Sequence, residues 1–389
     1  MKTGSKVWRH GDRAPVASFT NLSIDTTEFP NGTGALTEVG FMQALDLGER
    51  IRRRYFEHRN VSIGEVFIRS TNMSRTVRTA EGIISALHMP ELKVVVDSPM
   101  EQDTIGNPLF ACPLADRIVA EWGDEYLMKD NYSDAHKMEL PQWAKNDTLK
   151  EAMRILSWTG LEMQYGIEPF RNDTLMKIRS GSILRNVVEQ LYSKIQNAKN
   201  NNTATNTDKN SDLYFYGLSA HDITLTAILS TFRNMSAITG PIPHVKYAAN
   251  LAFELYVING KYKIKILYAN QYDEEPKDVT RLARGCEDSR GLCDANKFIE
   301  QSRKMFFDDI LYANQYDEEP KDVTRLARGC EDSRGLCDAN KFIEQSRKMF
   351  FDDVQKHCEE TSTSSGKDGK KVKRSAGFFS GNLAELFIS

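Results

Sequence analysis

In the run Arg9-His10-Gly11-Asp12-Arg13-Ala14-Pro15 an imidazole stands between two guanidiniums, with a glycine at its side. Arginine stays charged and presents a planar fork of donors that fits phosphate oxygens, so Arg9 and Arg13 suit a phosphoryl group held against His10. A neutral imidazole is a nucleophile, and its attack on phosphorus would give a phosphohistidine, splitting one hard hydrolysis into two easier displacements. Gly11 would let the backbone approach an anion, and Pro15 stiffens the exit from the turn. The competing reading is a basic surface turn with a solvated histidine.

Two further segments place similar chemistry at the ends of strands. Leu213 to Leu218 is an apolar, aromatic run of strand length that leads into Ser219-Ala220-His221-Asp222. Leu225, Ile228, Leu229 and Phe232 then follow at the spacing of one buried helix face. Asp222 reads either as a helix N-cap or as a proton donor to a leaving oxygen, with His221 binding a phosphate oxygen. Val66 to Ser70 reads as a short strand, and Ser74-Arg75 opens a helix with Val77, Ala80, Ile84 and Leu87 on its inner side. In open α/β sheets ligands bind at the carboxyl ends of strands, so Arg9, His10, Arg13, Arg75, His221 and Asp222 are expected on one rim.

These runs, with Ile68-Arg69-Ser70-Thr71-Asn72-Met73-Ser74-Arg75-Thr76 between them, resemble the histidine acid phosphatases, above all the secreted and lysosomal enzymes of animals, including nematodes. Leu36 to Gly40, Asn107 to Phe110, Lys177 to Gly181 and Phe253 to Tyr256 also stand in the order that family uses, so the resemblance spans roughly residues 5 to 358. It implies an α/β three-layer sandwich with a mainly parallel central sheet and an inserted helical cap, of the phosphoglycerate mutase-like kind. It further implies His10 as the nucleophile, Arg9, Arg13, Arg75 and His221 as the phosphate pocket, and Asp222 as the general acid. Arg69 and Asp12 match family positions and are given support roles, Asp12 as an orienting carboxylate. The expected substrate is a small phosphate monoester, with an acidic optimum because Asp222 holds its proton more readily as pH falls. No cofactor and no metal is expected, since the guanidiniums supply the charge a metal supplies elsewhere. A homodimer is expected by analogy. A phytase or other inositol-phosphate phosphatase, and a non-catalytic relative or inactive product, are the rival readings.

The 389 residues, 40% hydrophobic and 27% charged, suffice for a sizeable core. A net charge of −3 gives no reason to invoke nucleic acid, and no apolar run is long enough to span a bilayer. Residues 1–97 and 177–358 are assigned to the catalytic domain. Residues 98–176, with Trp122, Trp143, Trp158 and helical stretches such as Leu149 to Trp158 and Gly160 to Tyr165, are assigned to the cap. Gln196 to Asp212 is expected to be an unstructured loop, and residues 359–389 a disordered tail.

Asn-x-Ser/Thr acceptors recur from Asn21 to Asn234 in excess of chance, which points to a secreted or lysosomal protein. Six cysteines leave the pairing open in an oxidising compartment, and the resemblance favours Cys330–Cys337 and Cys112–Cys358. Met1 to Lys6 holds no apolar signal core, and the strand that should carry His10 reads as cut to almost nothing, from which a truncated chain is expected. Ile266 to Asp309 recurs unchanged as Ile310 to Asp353. Structural repeats diverge at exposed positions, so this is a recent duplication or an assembly error rather than a solenoid. One groove exists for two identical segments, so one copy should pack and the other project, with Cys286 and Cys293 pairing locally.

Overall fold

The computed structural model describes residues 2–15, 29–120, 146–200, 213–240 and 244–306. The strands are β1 (Lys2–Arg9), β2 (Val66–Ser70), β3 (Val94–Val95), β4 (Phe215–Ala220), β5 (Asn250–Ile258), β6 (Lys261–Ala269), β7 (Lys277–Asp278) and β8 (Cys293–Asp294). The helices are α1 (Glu38–Ile51), α2 (Ser74–Ala86), α3 (Pro113–Ala120), α4 (Asp147–Tyr165), α5 (Asp173–Asn200), α6 (Asp222–Ser230), α7 (Ser236–Thr239) and α8 (Ala295–Arg303).

One eight-stranded sheet runs β3-β2-β4-β1-β5-β6-β7, with β8 also paired to β6. Strands β3, β2, β4 and β1 are parallel neighbours, while β5 and β6 continue the sheet antiparallel. The sheet is therefore mixed, with its parallel half carrying the rim of interest.

The strand expected to be cut to almost nothing forms from Lys2 onward. β1 spans eight residues and lies between β4 and β5, although only Val7 and Trp8 of Lys2–Arg9 are large and apolar. Pairing on both sides, rather than hydrophobic pattern, holds it: Gly4 lies opposite Phe215 on one side and Glu254 on the other. Polar side chains are accommodated one by one. Ser5 Oγ donates to Gln190 Oε1 at 3.1 Å, and a Cβ on Gly4 would sit 2.8 Å from the Tyr55 ring.

Alternation along β1 divides the core into two layers. Trp8 packs with Ala44, Leu47 and Ile51 of α1, Ile83 of α2 and Ile68 of β2. Val7 packs on the opposite face with Val187 and Leu191 of α5, Leu225 of α6 and Phe298 of α8. Helices thus cover both faces, giving the three-layer α/β arrangement. Gly217 makes room for Trp8, since a Cβ there would lie 2.4 Å from the indole.

Residues 147–165 form one helix where two stretches were expected, and α5 runs unbroken through residues 176 and 177. It continues to Asn200, so residues 196–200 are helical rather than loop. Leu191 and Ile195 anchor its last turns in the core, and each further helical residue then adds a hydrogen bond without a new nucleation cost. The rest of the expected loop and the tail lie outside the described residues.

The first copy of the duplicated segment packs. Its Ile266, Cys286, Cys293, Ala295 and Phe298 belong to the core, and Cys286–Cys293 is a disulfide with Cα atoms 5.2 Å apart. The local bridge that was expected in a projecting copy therefore lies in a packed one. The second copy, with Cys330 and Cys337, lies outside the described residues, as does Cys358. Cys112 is disulfide-bonded to a cysteine that is likewise outside them. β5 and β6 are joined by Asn259-Gly260, both with positive φ (50° and 72°), the pattern of a two-residue hairpin turn.

A buried carboxylate ties α1 to the sheet. After α1 a π-helical turn, Arg52–Phe56, brings Arg54 Nε to 2.6 Å and Tyr55 Oη to 2.7 Å from Glu254 Oε1. Tyr256 Oη donates to Oε2 at 2.6 Å. Burial alone would raise the Glu254 carboxyl, but the donors Arg54, Tyr256 and Tyr55 outweigh it and hold it at about 2. The opposite end of α1 is fixed by Thr37, whose Oγ1 accepts from Gly40 N at 3.0 Å and donates to Asp12 Oδ2 at 2.7 Å. There Gly11 meets α1 backbone to backbone: a Cβ on it would lie 2.2 Å from Gly40 O. Gly11 is thus required by helix packing, whatever its part toward an anion.

Two expected outcomes follow from these contacts. Glu254→Gln should cost roughly 2–4 kcal/mol in urea unfolding at neutral pH. Because the folded carboxyl lies below its unfolded value, that difference should be full above the ordinary glutamate range and shrink as pH falls toward about 2. Gly11→Ala should lower the thermal midpoint by the equivalent of about 2 kcal/mol or more, since backbone rather than a flexible side chain must give way.

Candidate active site

Three strand ends are stitched into one rim by the backbone. His10 N donates to Ala220 O at 2.9 Å, Thr71 N to Ser219 O at 3.1 Å, and Ala248 N to His10 O at 3.0 Å. The rim therefore carries Arg9 and His10 from β1, Arg75 from the start of α2, and His221 and Asp222 from the junction of β4 and α6. The six residues expected to converge do so, with Arg13 three residues beyond His10.

His10 is fully buried. Its Nδ1 lies 2.7 Å from Gly11 O, and because a carbonyl only accepts, Nδ1 carries the proton and Nε2 the lone pair. Nε2 has no hydrogen-bond partner among the described residues. Burial, then Arg75, Arg9, His221 and Arg13, push the imidazole well below the ordinary histidine value, which favours the neutral ring. The His221 ring lies edge-on at 5.6 Å from it and is depressed likewise by burial, Arg75, Arg9 and Arg13.

The guanidiniums are crowded. Arg75 is buried, and desolvation with Arg13 and Arg9 beside it lowers it to about 9, against the opposing pull of Asp222. Arg13 Nη1 donates to Ala14 O at 2.9 Å. Arg9 donates through Nη1 to Val245 O at 2.6 Å and pairs through Nη2 with Asp222 Oδ2 at 2.9 Å. Its charge also lies 4.2 Å over the ring of Tyr247. Such a set of like charges around two neutral imidazoles can accept an anion with several oxygens.

Asp222 is not the N-cap of α6; that position falls to His221, and Asp222 is the first helical residue, its Oδ1 accepting from Ile223 N at 2.7 Å. Arg69 pairs with Asp97 and Asp103, each at 2.7 Å, and Asp12 holds Thr37, so both brace the rim. Among the described residues no group of three or more His, Cys, Asp or Glu could hold a metal ion, and no helix is long and apolar enough to cross a membrane.

Sequence reasoning missed two parts of the site. Tyr247, 5.8 Å from the His10 ring, comes from a loop shaped by Ala248, whose φ is +52°. Nothing in Tyr247-Ala248-Ala249 marks it. The other is the support behind His221. Thr71 Oγ1 lies 2.9 Å from His221 Nε2, and Thr224 Oγ1 donates to Gly106 O at 2.5 Å while accepting from His221 N at 3.3 Å. The Asn107-to-Phe110 match belongs to this brace: Asn107 Nδ2 donates to Met100 O at 3.1 Å and its Oδ1 accepts from Leu109 N at 3.2 Å.

The chain is similar to several known proteins. Residues 5–157 match the family described as the histidine phosphatase superfamily (branch 2). Prostatic acid phosphatase of Rattus norvegicus is 27% identical over 349 residues, covering 77% of this chain and 85% of that protein. Putative acid phosphatase 5 of Caenorhabditis elegans is 25% identical, covering 78% of this chain and 76% of that protein. Human lysosomal acid phosphatase is 24% identical, covering 69% and 71%. Among solved structures, Hafnia alvei phytase in complex with tartrate has the same fold at 14% identity, with a TM-score of 0.56 over 78% of this chain and 96% of that one. Over residues 5–157 the chain is thus similar in sequence to the histidine phosphatase superfamily (branch 2), and its fold is that of the phytase.

Proposed function

We propose that the chain is an acid phosphatase that hydrolyses small phosphate monoesters through a phosphohistidine on His10, with Asp222 as proton donor. The observation that carries this reading is the buried, neutral His10, whose proton is held on Nδ1 by Gly11 O and whose Nε2 is left as the nucleophile.

In the first step Nε2 attacks phosphorus as the ester P–O bond breaks, and the leaving oxygen takes a proton from Asp222. In the second, water attacks phosphorus, the N–P bond breaks, and the Asp222 carboxylate takes the water's proton, releasing inorganic phosphate. Arg9, Arg13, Arg75 and His221 hold the phosphoryl oxygens and balance charge in the transition state. Phosphoryl oxygens compete with Asp222 for Arg9, so binding loosens the pair at 2.9 Å and favours the protonated acid. The described parts of residues 98–176, with α3 and α4, act as a helical cap on the leaving-group side. The protein works as a homodimer in a secreted or lysosomal setting, the compartment of the prostatic and lysosomal relatives and of its many Asn-x-Ser/Thr acceptors.

The test is hydrolysis of an aryl phosphate between about pH 4 and 8. His10→Ala should lower kcat on the order of a thousandfold or more and abolish acid-labile label from a radioactive phosphate ester. Asp222→Asn should cost about 100-fold or more on an alkyl phosphate and less on a nitrophenyl ester, whose oxygen leaves without a proton. Because the His10 imidazole is depressed, the acid limb of kcat/KM should lie below the ordinary histidine range, and activity should fall as pH rises and Asp222 loses its proton. Labelled protein persisting in His10→Ala would refute the assignment.

A further inference from the structure

The two ring nitrogens of His221 meet different surroundings. Nδ1 has no hydrogen-bond partner among the described residues, and the charges around the ring are those of Arg75, Arg9 and Arg13. His10 from the end of β1, Asp222, the next residue in α6, and Tyr247, whose ring lies 5.8 Å from that of His10, are the other titratable groups nearby. Nε2 instead lies 2.9 Å from Thr71 Oγ1, which is 2.8 Å from Thr76 Oγ1. Thr71, Thr76 and His221 are all fully buried.

We infer that Thr71, backed by Thr76, is a positioning residue whose hydroxyl donates to His221 Nε2, so that a neutral His221 carries its proton on Nδ1 and offers it to a phosphoryl oxygen. The inference rests on the phosphohistidine reading above.

A phosphoryl oxygen only accepts, so the nitrogen that meets it must be an N–H. An imidazolium would satisfy this, but a further positive charge among three guanidiniums in a dry site is strongly disfavoured. The neutral alternative puts the lone pair on Nε2. Left without a donor there, a buried lone pair costs about 1–3 kcal/mol. Thr71 supplies that donor, and its oxygen then accepts from Thr76. Thr76 Oγ1 also lies 3.0 Å from Thr71 O and 2.9 Å from Met73 O, but both carbonyls accept from amides as well, Met73 N at 2.9 Å and Val77 N at 3.0 Å, so turning the Thr76 proton to Thr71 Oγ1 leaves neither without a donor.

The geometry is built rather than incidental. A Cβ on Gly106 would lie 2.2 Å from Thr71 Cγ2, so the methyl of Thr71 fills the space that this glycine leaves. A β-branched side chain whose methyl is wedged in place has its hydroxyl direction set as well. Ser219 Oγ, from β4, donates to Thr76 O at 2.7 Å and fixes the second threonine to the strand that carries His221.

The test compares Thr71→Val, which keeps the shape, with Thr71→Ser, which keeps the hydroxyl. It reads kcat/KM on an aryl phosphate across pH and the His221 protons by nitrogen-15 NMR with inorganic phosphate present. Thr71→Val should lose about 10- to 100-fold in kcat/KM, the equivalent of one orphaned buried lone pair. Its activity should also fall away at lower pH than in the wild type, because the imidazolium is then required to bind the oxygen. Thr71→Ser should stay within about threefold, with the wild-type profile. In the spectra, wild-type His221 should carry one proton, on Nδ1, and Thr71→Val should not. Wild-type kcat/KM in Thr71→Val, a loss uniform across pH, or a doubly protonated wild-type His221 would overturn the inference. A wild type inactive on the ester at every pH, with the Nδ1 proton in place, would instead overturn the phosphatase reading.

Discussion

Like charges held together in a dry place are the constraint on which the rest of this molecule depends. Arg9, Arg13 and Arg75 surround two buried imidazoles, and the lowered value of Arg75 registers how uneasily they sit there. Repulsion of this kind would spread a flexible surface apart. It persists because the groups are mounted on the ends of paired strands and the first turns of buried helices. The same repulsion becomes attraction toward an anion with several oxygens, the kind of ligand such a set of charges can accept.

The scaffold resists at the points where the load falls. β1 is flanked on both edges, Gly11 and Gly40 let backbone meet backbone, and Ala248 accepts a left-handed φ of 52° so that its N–H can close on His10 O. Farther from the rim, Glu254 gathers Arg54, Tyr55 and Tyr256 beneath the sheet, which keeps α1 seated while its other end borders the pocket. Rigidity here is distributed over backbone pairings and buried hydrogen bonds, with the surface ion pairs adding little.

What could be read in the sequence was the chemistry that comes in compact runs. Arg9 to Pro15 and His221-Asp222 declared themselves, and Arg75 followed from a strand-to-helix junction whose apolar spacing is plain. β1 did not, because Lys2 to Lys6 is polar and its strand character is conferred by β4 and β5, which lie more than two hundred residues away in the chain. Tyr247 was invisible for a related reason, and Thr71 and Thr76, though quoted within a matched run, gave no sign of their roles, which come from three-dimensional neighbours and leave no periodic trace. Glu254 was quoted within a matched run, yet its partners sit in a π-helical turn that no pattern of apolar residues announces. The fold class and the residues that meet at the rim were therefore legible, with Asp12 and Arg69 among their supports, while Tyr247 and the partners of Glu254 were not.

The hairpin turn at Asn259-Gly260 also arbitrates between two identical stretches of chain. β6 begins before the duplicated segment and enters it at Ile266, so the first copy is delivered to the sheet edge by a two-residue connection from β5. Any later copy must close a loop longer by the whole duplicated length, at an added entropy on the order of 2 kcal/mol. Sequence identity makes the copies equal in contacts but not in proximity. Chain connectivity breaks the tie in favour of the first copy, whose Ile266, Ala295 and Phe298 lie in the core.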